Sequence, residues 1–471
     1  MRSSAAAEFL RKAAEKAADV AHRQTIRRNI SSYDLSVGRG KLRFSDWEEA
    51  RRRCAEIKWE AINHLDKYLL EFEQKVQARG GHVFWASNAE EARQYIEDLV
   101  TSRGVKLVVK AKSMVTEEIH LASALERRGV EVLETDLGEF IVQLRKEPPY
   151  HIVTPAMHLS RADISRLFRE KLEGVTSDEP EELVAAARRA LRKAFFAADV
   201  GITGANFLVA DAGMIALTTN EGNARLCTAL PRIHVAVAGI EKVIPRLADL
   251  ALLWPTLATA GTGQHLTTYN TLIGGPRQPG EQDGPEEFHV ILLDNGRTEL
   301  LADPEQRDVL HCIRCGACLN ACPVYRTVGG HTYATTYPGP IGSVLTPHLR
   351  GLEGWQHLSY ASSLCGNCTS VCPVRIDLHH HLLHNRRNAV EKTRHGWLEN
   401  VSFRAWRWTM MSSARFGFAG RVGRFAVRFV NKLGLSGTII DPMRTWTRHR
   451  SLPEVPRESF RQLWRKRHGQ R

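Results

Sequence analysis

The chain has 471 residues, 43% hydrophobic and 25% charged, a globular composition too long for one ordinary core. No apolar run approaches the roughly 20 residues that cross a bilayer. The opening MRSSAAAEFLRKAAEKAADVAHRQ places Glu8, Glu15 and Asp19 where a secretion signal needs an apolar stretch. The net charge of +13 is confined to one end, because residues 401–471 carry 16 Lys/Arg against Asp441, Glu454 and Glu458.

Residues 1–80 are predicted to be helical. Trp47, Ala50, Cys54, Ile57, Ala61, Leu65 and Tyr68 recur at helical spacing on one face. A β/α alternation follows. GHVFWA (81–86) reads as a strand, NAEEARQYIEDLVTSRG (88–104) as an Asn-capped helix and VKLVVK (105–110) as a second strand. SMVTEEIHLASALERRG (113–129) reads as one glycine-closed helix and VEVLET (130–135) as a third strand. Beyond a helical stretch at 160–198, FLVADAGMIALTT (207–219), IHVAVAGI (233–240) and FHVILLDNG (288–296) are strands, with a long loop over 261–287. The expectation is an α/β open-sheet domain over 81–300, a cysteine module over 301–390 and a basic, mainly helical region over 391–471.

Ligands of open α/β sheets collect at the carboxyl ends of strands. Lys110, Lys112, Ser113 and Thr116 stand at one such end. The stretch TDLGEFIVQL (135–144) follows another, and Asn220, Glu221, Asn223 and Arg225 a third. Each stretch reads equally well as a capped helix or a polar loop. GTGQHL (261–266) lacks the third glycine and the strand-to-helix setting of a dinucleotide fingerprint.

Seven of the nine cysteines lie between Cys312 and Cys372. Cys312, Cys315, Cys318 and Cys322, followed by Pro323, form the C-x2-C-x2-C-x3-C-P run of two-cluster ferredoxins. Three thiolates on one tight turn reach one cluster while the fourth projects to its neighbour, and proline suits the change of direction there. Cys365, Cys368 and Cys372, followed by Pro373, match the last three cysteines of the same run, with Ser362 where the first would stand. Crossed ligation then gives Cys312, Cys315, Cys318 and Cys372 to a first cluster. Cys322, Cys365 and Cys368 are left for a second. The second is either four-iron with a non-cysteine or solvent ligand, or [3Fe-4S].

Structural zinc is the competing chemistry, but these seven cysteines do not divide into two four-cysteine sites. His379, His380, His381 and His384 read as a solvated helix end, and Cys54 and Cys227 as buried bystanders in helix-like and strand-like settings. In the tail, FRAWRWTMMSSARFGFAGRVGRFAVRFV (403–430) interleaves Arg with Trp and Phe, with Arg421, Arg424 and Arg428 beside a stripe of Val422, Phe425 and Phe429. That pattern suits a helix packed on protein, a docking helix for a partner, or an interfacial helix on anionic lipid.

The stretches KAKSMVTEEI, TDLGEFIVQL, TGANFLVADAGMIALTTNEGNARL, CIRCGACLNACPVYRTVGGHTY, YPGPIGSVLTP and SLCGNCTSVCPVRIDLH together resemble the lactate utilisation protein B (LutB) family. The resemblance implies an α/β domain shared with LutC, like the CoA-transferase and formyltetrahydrofolate cyclo-ligase folds, joined to a helical two-cluster ferredoxin module. It implies an electron-transfer subunit, cytoplasmic or peripheral at the membrane inner face, in a complex with LutA-like and LutC-like proteins that oxidises L-lactate to pyruvate. Two [4Fe-4S] clusters on the seven cysteines, an unidentified electron acceptor and no nucleic-acid partner belong to the same picture. No catalytic residue carries over. The alternatives are a self-contained oxidoreductase whose α/β domain binds the substrate, and a nucleic-acid-binding protein with structural clusters.

Overall fold

Short Val-, Ile- and Leu-rich runs separated by helices build a parallel sheet. The computed structural model describes residues 4–392, 396–435, 438, 444–447, 450 and 454–469. Its strands are β1 His82–Ala86, β2 Leu107–Lys110, β3 Glu131–Glu134, β4 Val200–Thr203, β5 Phe207–Val209, β6 Met214–Thr219, β7 Ile233–Gly239, β8 Val243–Ile244, β9 Tyr269–Ile273 and β10 Glu287–Leu293. Six of them form one all-parallel sheet in the order β1-β10-β7-β4-β2-β3. Such a sheet needs both faces covered, and β4 and β7 are buried at every residue.

A smaller sheet in the order β8-β5-β6-β9 stands beside it, mostly antiparallel. It corrects two expectations. FLVADAGMIALTT is a hairpin and not one strand, because Gly213 at φ +58 turns the chain between β5 and β6. The stretch 261–287 is not all loop, since β9 pairs with β6 inside it. A third correction falls in 113–129, where His120 at φ 52 breaks one expected helix into Met114–Glu118 and Leu121–Arg127.

Four helices precede the sheet: Ser4–Ala18, Val20–Lys41, Trp47–Asn63 and Leu65–Ala78. Ala50, Cys54, Ala61, Leu65 and Tyr68 are buried as their spacing predicts, and Trp47 and Ile57 pack at the edge of the core. His64, with φ −128 and ψ 41, breaks the run into two helices.

The chain divides into two compact units, Met1–Lys392 and Thr393–Arg471. In the first, one apolar core joins the opening helices through Cys54 and Phe72, the small sheet through Leu208 and Ile215, the large sheet through Phe288, and the cysteine module through Leu319 and Tyr325. In the second, the helices Trp397–Met410 and Ser413–Lys432 are separated by Met411 and Ser412, and Ser412 caps the later one. Neither helix contains a buried residue. No described helix is long and apolar enough to cross a membrane.

His234 of β7 is fully buried, with its Nε2 2.9 Å from the Thr203 hydroxyl. Burial, with a smaller push from His289, pulls its pKa down to about 3 from 6.5. The unfolded chain takes up this proton as pH falls below about 6.5 while the folded chain stays neutral, so the group costs stability with falling pH at about 1.4 kcal/mol per unit. We expect His234→Asn to flatten the dependence of unfolding free energy on pH by about one proton between about pH 6 and 4. Denaturant titration of both proteins across that range measures it, and parallel slopes contradict it.

Candidate metal centre

The two cysteine motifs fold alike. Arg314 and Leu364 occupy matching positions at φ 60 and φ 55, and the glycines after the next cysteine, Gly316 and Gly366, both stand at φ +78. That left-handed turn favours glycine. It opens matching short helices, Ala317–Ala321 and Asn367–Val371. After the first, Pro323 starts the next helix at the position where a missing N–H costs nothing.

All nine cysteines are free thiols. Their mutual electrostatics sort the seven of the module into two groups. Cys318 feels Cys312, Cys315 and Cys372, and Cys315 feels Cys372 and Cys312. Cys368 feels Cys322 and Cys365, and Cys322 feels Cys365. The last cysteine of each motif therefore lies with the other motif's thiols.

Burial pushes Cys368 up to about 11 and Cys372 up to about 12, and Cys315 and Cys318 higher still. Exposed Cys365 alone is pulled down, by the Asn367 N–H and the Ser363 hydroxyl. Thiols this buried ionise together only around positive charge, which metal supplies. Backbone N–H groups already address the sulfurs: Arg314 N donates to Cys312 Sγ at 3.4 Å and Ile376 N to Cys372 Sγ at 3.3 Å. The donor set fits iron–sulfur clusters. Ser362 holds the equivalent place in the second turn, its Oγ accepting from Leu364 N at 3.1 Å.

A chain of buried charges ties this module to the sheet. Arg297, just beyond β10, donates two bonds of 2.9 Å to Glu118 and one of 2.6 Å to Glu241. Glu241 also accepts from Arg314 Nη2 at 3.3 Å, and Tyr337 donates to Glu118 at 2.7 Å. The guanidinium partners hold Glu241 down at about 2 despite burial. From the opening helices, Lys58 donates to the Glu241 and Val243 carbonyls at 2.6 and 3.1 Å, and Arg51 to the Cys372 carbonyl at 2.9 Å.

A cavity of about 460 Å³ opens at the carboxyl ends of β2, β3, β4 and β7, and Arg314 and Cys315 form part of its wall. Of the residues predicted at strand ends, Lys112, Ser113, Asn220, Glu221 and Asn223 line it, as do Asp136 and Gly138 of the 135–144 stretch. Three others do not. Lys110 is fully buried in ion pairs with Glu134 (2.6 Å) and Glu117 (3.2 Å), Thr116 bonds back to the Ser113 carbonyl, and Arg225 lies over the Tyr269 ring. Sequence reasoning missed Lys242 and Arg314. Lys242 lies just past β7, where the carboxyl-end rule had a signal, whereas Arg314 was hidden inside a cysteine motif. His381 is buried 2.9 Å from Asp308, not solvated, because its helix turns that face to the core. Cys227 is buried as expected but sits in the helix Asn223–Ala229 and not in a strand.

Comparison with known proteins extends the picture. A LUD domain model matches residues 69–293, a 4Fe-4S dicluster domain model residues 308–376, and a model of the lactate utilisation protein B C-terminal region residues 380–469. Lactate utilization protein B of Shouchella clausii is 45% identical over 446 residues, 94% of each chain. A lactate utilization protein B of Bacillus mycoides is 41% identical over 459 residues, 97% of this chain and 96% of that one. An uncharacterized electron transport protein of Escherichia coli, YkgF, is 42% identical over 449 residues, 94% of each. A crystal structure of a DUF162 family protein from Deinococcus radiodurans aligns with 49% of this chain and 98% of its own, at 15% identity and a TM-score of 0.27. Fold, thiols and family models define an iron–sulfur protein that joins a LUD domain to a 4Fe-4S dicluster domain. The chain belongs to the lactate utilisation protein B family.

Removing Arg297 leaves buried Glu118 without a cation and Glu241 with Arg314 alone, and breaking a buried ion pair typically costs about 3–5 kcal/mol. We expect Arg297→Met to lose stability on that scale in denaturant unfolding, and a loss under about 1 kcal/mol contradicts the role given to the charge chain.

Proposed function

We propose that the chain is the iron–sulfur electron-transfer subunit of a complex that oxidises L-lactate to pyruvate, with LutA-like and LutC-like partners. In this reading Cys312, Cys315, Cys318 and Cys372 hold the first [4Fe-4S] cluster, and Cys322, Cys365 and Cys368 the second. The observation that carries it is the sorting of seven thiols into those two groups across two matched turns. Clusters bound there supply one-electron carriers. Lactate gives up two electrons and two protons, a step that normally needs a two-electron centre. The sequence carries no dinucleotide fingerprint, so this reading assigns that step to a partner.

The protein's own groups set the direction of the field. Lys58, Lys242 and Arg314 act on Cys312, and Arg51 on Cys372, while Arg326 acts on Cys322. More positive charge thus surrounds the first group, which favours its reduced, more negative state. The exposed Cys365 gives the second group a surface edge for exchange with a partner or acceptor. We assign the α/β domain to the CoA-transferase and formyltetrahydrofolate cyclo-ligase-like folds. The same proposal places the chain in the cytoplasm, with basic residues 401–471 available to an anionic surface. A second reading, a self-contained oxidoreductase, draws on the cavity that reaches Cys315.

Potentiometry on the anaerobically purified protein tests the ligation. Arg51→Met and Lys58→Met, measured below about pH 7 so that Lys58 is charged, are expected to lower the same midpoint by on the order of 50 mV, and Arg326→Met the other midpoint. Uncrossed ligation predicts that Arg51 and Lys58 move different midpoints. L-lactate with an artificial electron acceptor separates the two functional readings: the chain alone is expected to show no turnover, and turnover without partners sinks the subunit assignment.

A further inference from the structure

We infer that the cavity at the carboxyl ends of the parallel strands binds an organic carboxylate, held by Lys242 beside Arg314 and Cys315. Lys242 follows β7 in a short 3-10 turn, Ile240–Lys242, which sends Glu241 into the buried charge chain and Lys242 into the cavity wall. Lys242 is 6% exposed, and its side chain lines the cavity. Among the described residues it has no hydrogen bond or ion pair. Arg314 uses Nη2 on Glu241, while its Nε and Nη1 are buried without a partner. It lies over the Tyr337 ring at 4.6 Å, which fixes the plane of its fork. The unpartnered Lys242 ammonium at the cavity wall, with the Arg314 guanidinium adding positive charge beside it, marks a place for a negative ligand. Burial also lowers Lys242 to about 8, a penalty that a bound anion offsets.

The chemistry favours a carboxylate over a phosphate. Three of the helix-end N–H groups beside the cavity, of the kind phosphates commonly use, are taken by side chains. Ser113 takes Thr116 N, Asp136 takes Glu139 N and Glu221 takes Leu137 N. Asp136 and Glu221 themselves line the cavity and repel a dianion, with Lys112 committed to Asp136 (3.6 Å) and to the Val153 carbonyl (2.7 Å). The groups acting on Lys242 are Arg314, Glu241, Cys312 and Arg297, so the cationic corner lies towards the first thiol group. Met114, Ile152 and Leu257 offer apolar wall for the rest of the molecule. At 460 Å³ the space matches small-molecule sites and exceeds what a three-carbon acid fills. Gly261 completes the contact, because a Cβ there would stand 2.9 Å from the Cys315 carbonyl. The cavity and Cys315 are therefore neighbours by construction.

This inference rests on the proposed clusters only for its spectroscopic readout. The test uses the full chain, purified anaerobically, with iron measured first. Calorimetric titration with L-lactate, pyruvate, L-3-phenyllactate and inorganic phosphate is expected to show binding of at least one carboxylate. Lys242→Met should weaken it by about tenfold or more, and Lys242→Arg should largely retain it. The bound acid should also change the EPR signal of one reduced cluster. Absence of carboxylate binding, phosphate binding in its place, or full affinity in Lys242→Met overturns the site. Lys242-dependent binding that leaves both cluster signals unmoved overturns the contact with Cys315. Failure of the cluster reading appears separately, as protein without iron.

Discussion

Arg297 is 1% exposed and holds two carboxylates that are themselves buried, Glu118 and Glu241. A guanidinium in that position is tolerable only with its donors filled. Glu118 comes from the helix after β2, Glu241 from the turn after β7 and Arg297 from the turn after β10, so one side chain registers three strand ends. Glu241 passes the tie to Arg314, whose own backbone N–H bonds Cys312 Sγ. The orientation of the first cysteine turn against the sheet follows from this chain. Two carboxylates and two guanidiniums balance within it, and Lys242, the next residue along, stands outside it at the cavity wall.

The same tie puts thiols where they cannot ionise alone. Burial raises Cys315, Cys318 and Cys372, and the neighbouring thiols raise each further. Metal binding at such a place releases protons and stabilises the fold that assembled it. On the proposed ligation Lys58 and Arg314 act on Cys312 and Arg51 on Cys372 of the first group, Cys315 of that group borders the cavity, and the second group includes exposed Cys365. The cavity and both thiol groups lie within one compact unit, Met1–Lys392.

Much of this was legible in the residues. The ferredoxin spacing marked the dicluster module that the family model matches at residues 308–376, because cluster geometry imposes a local pattern that sequence must display. The parallel strands were legible as continuous apolar runs, and the opening helices from one apolar face. What escaped depends on long-range partners. Strands β4, β8 and β9 are short or half-polar and owe their state to the strands they pair with. Lys110 looked like an anion-binding lysine until the fold supplied Glu134, and Arg225 looked like a site residue until the helix Asn223–Ala229 turned it outward. Lys242 and Arg314 stand 72 positions apart in sequence, and no local rule joins them.

Ser362 carries the comparison of the two turns to its last step. In the first turn a backbone N–H reaches Cys312 Sγ at 3.4 Å; in the second the equivalent N–H reaches Ser362 Oγ at 3.1 Å. The backbone of a cysteine turn has thus been kept while its donor atom has been exchanged. A neutral hydroxyl is a weaker and harder ligand for iron than a thiolate, so Ser362 does not replace the missing thiolate like for like. It stands in the turn bearing Cys365, the exposed thiol of the seven. The two departures from a symmetric ferredoxin therefore fall on one turn, none of whose residues lines the cavity.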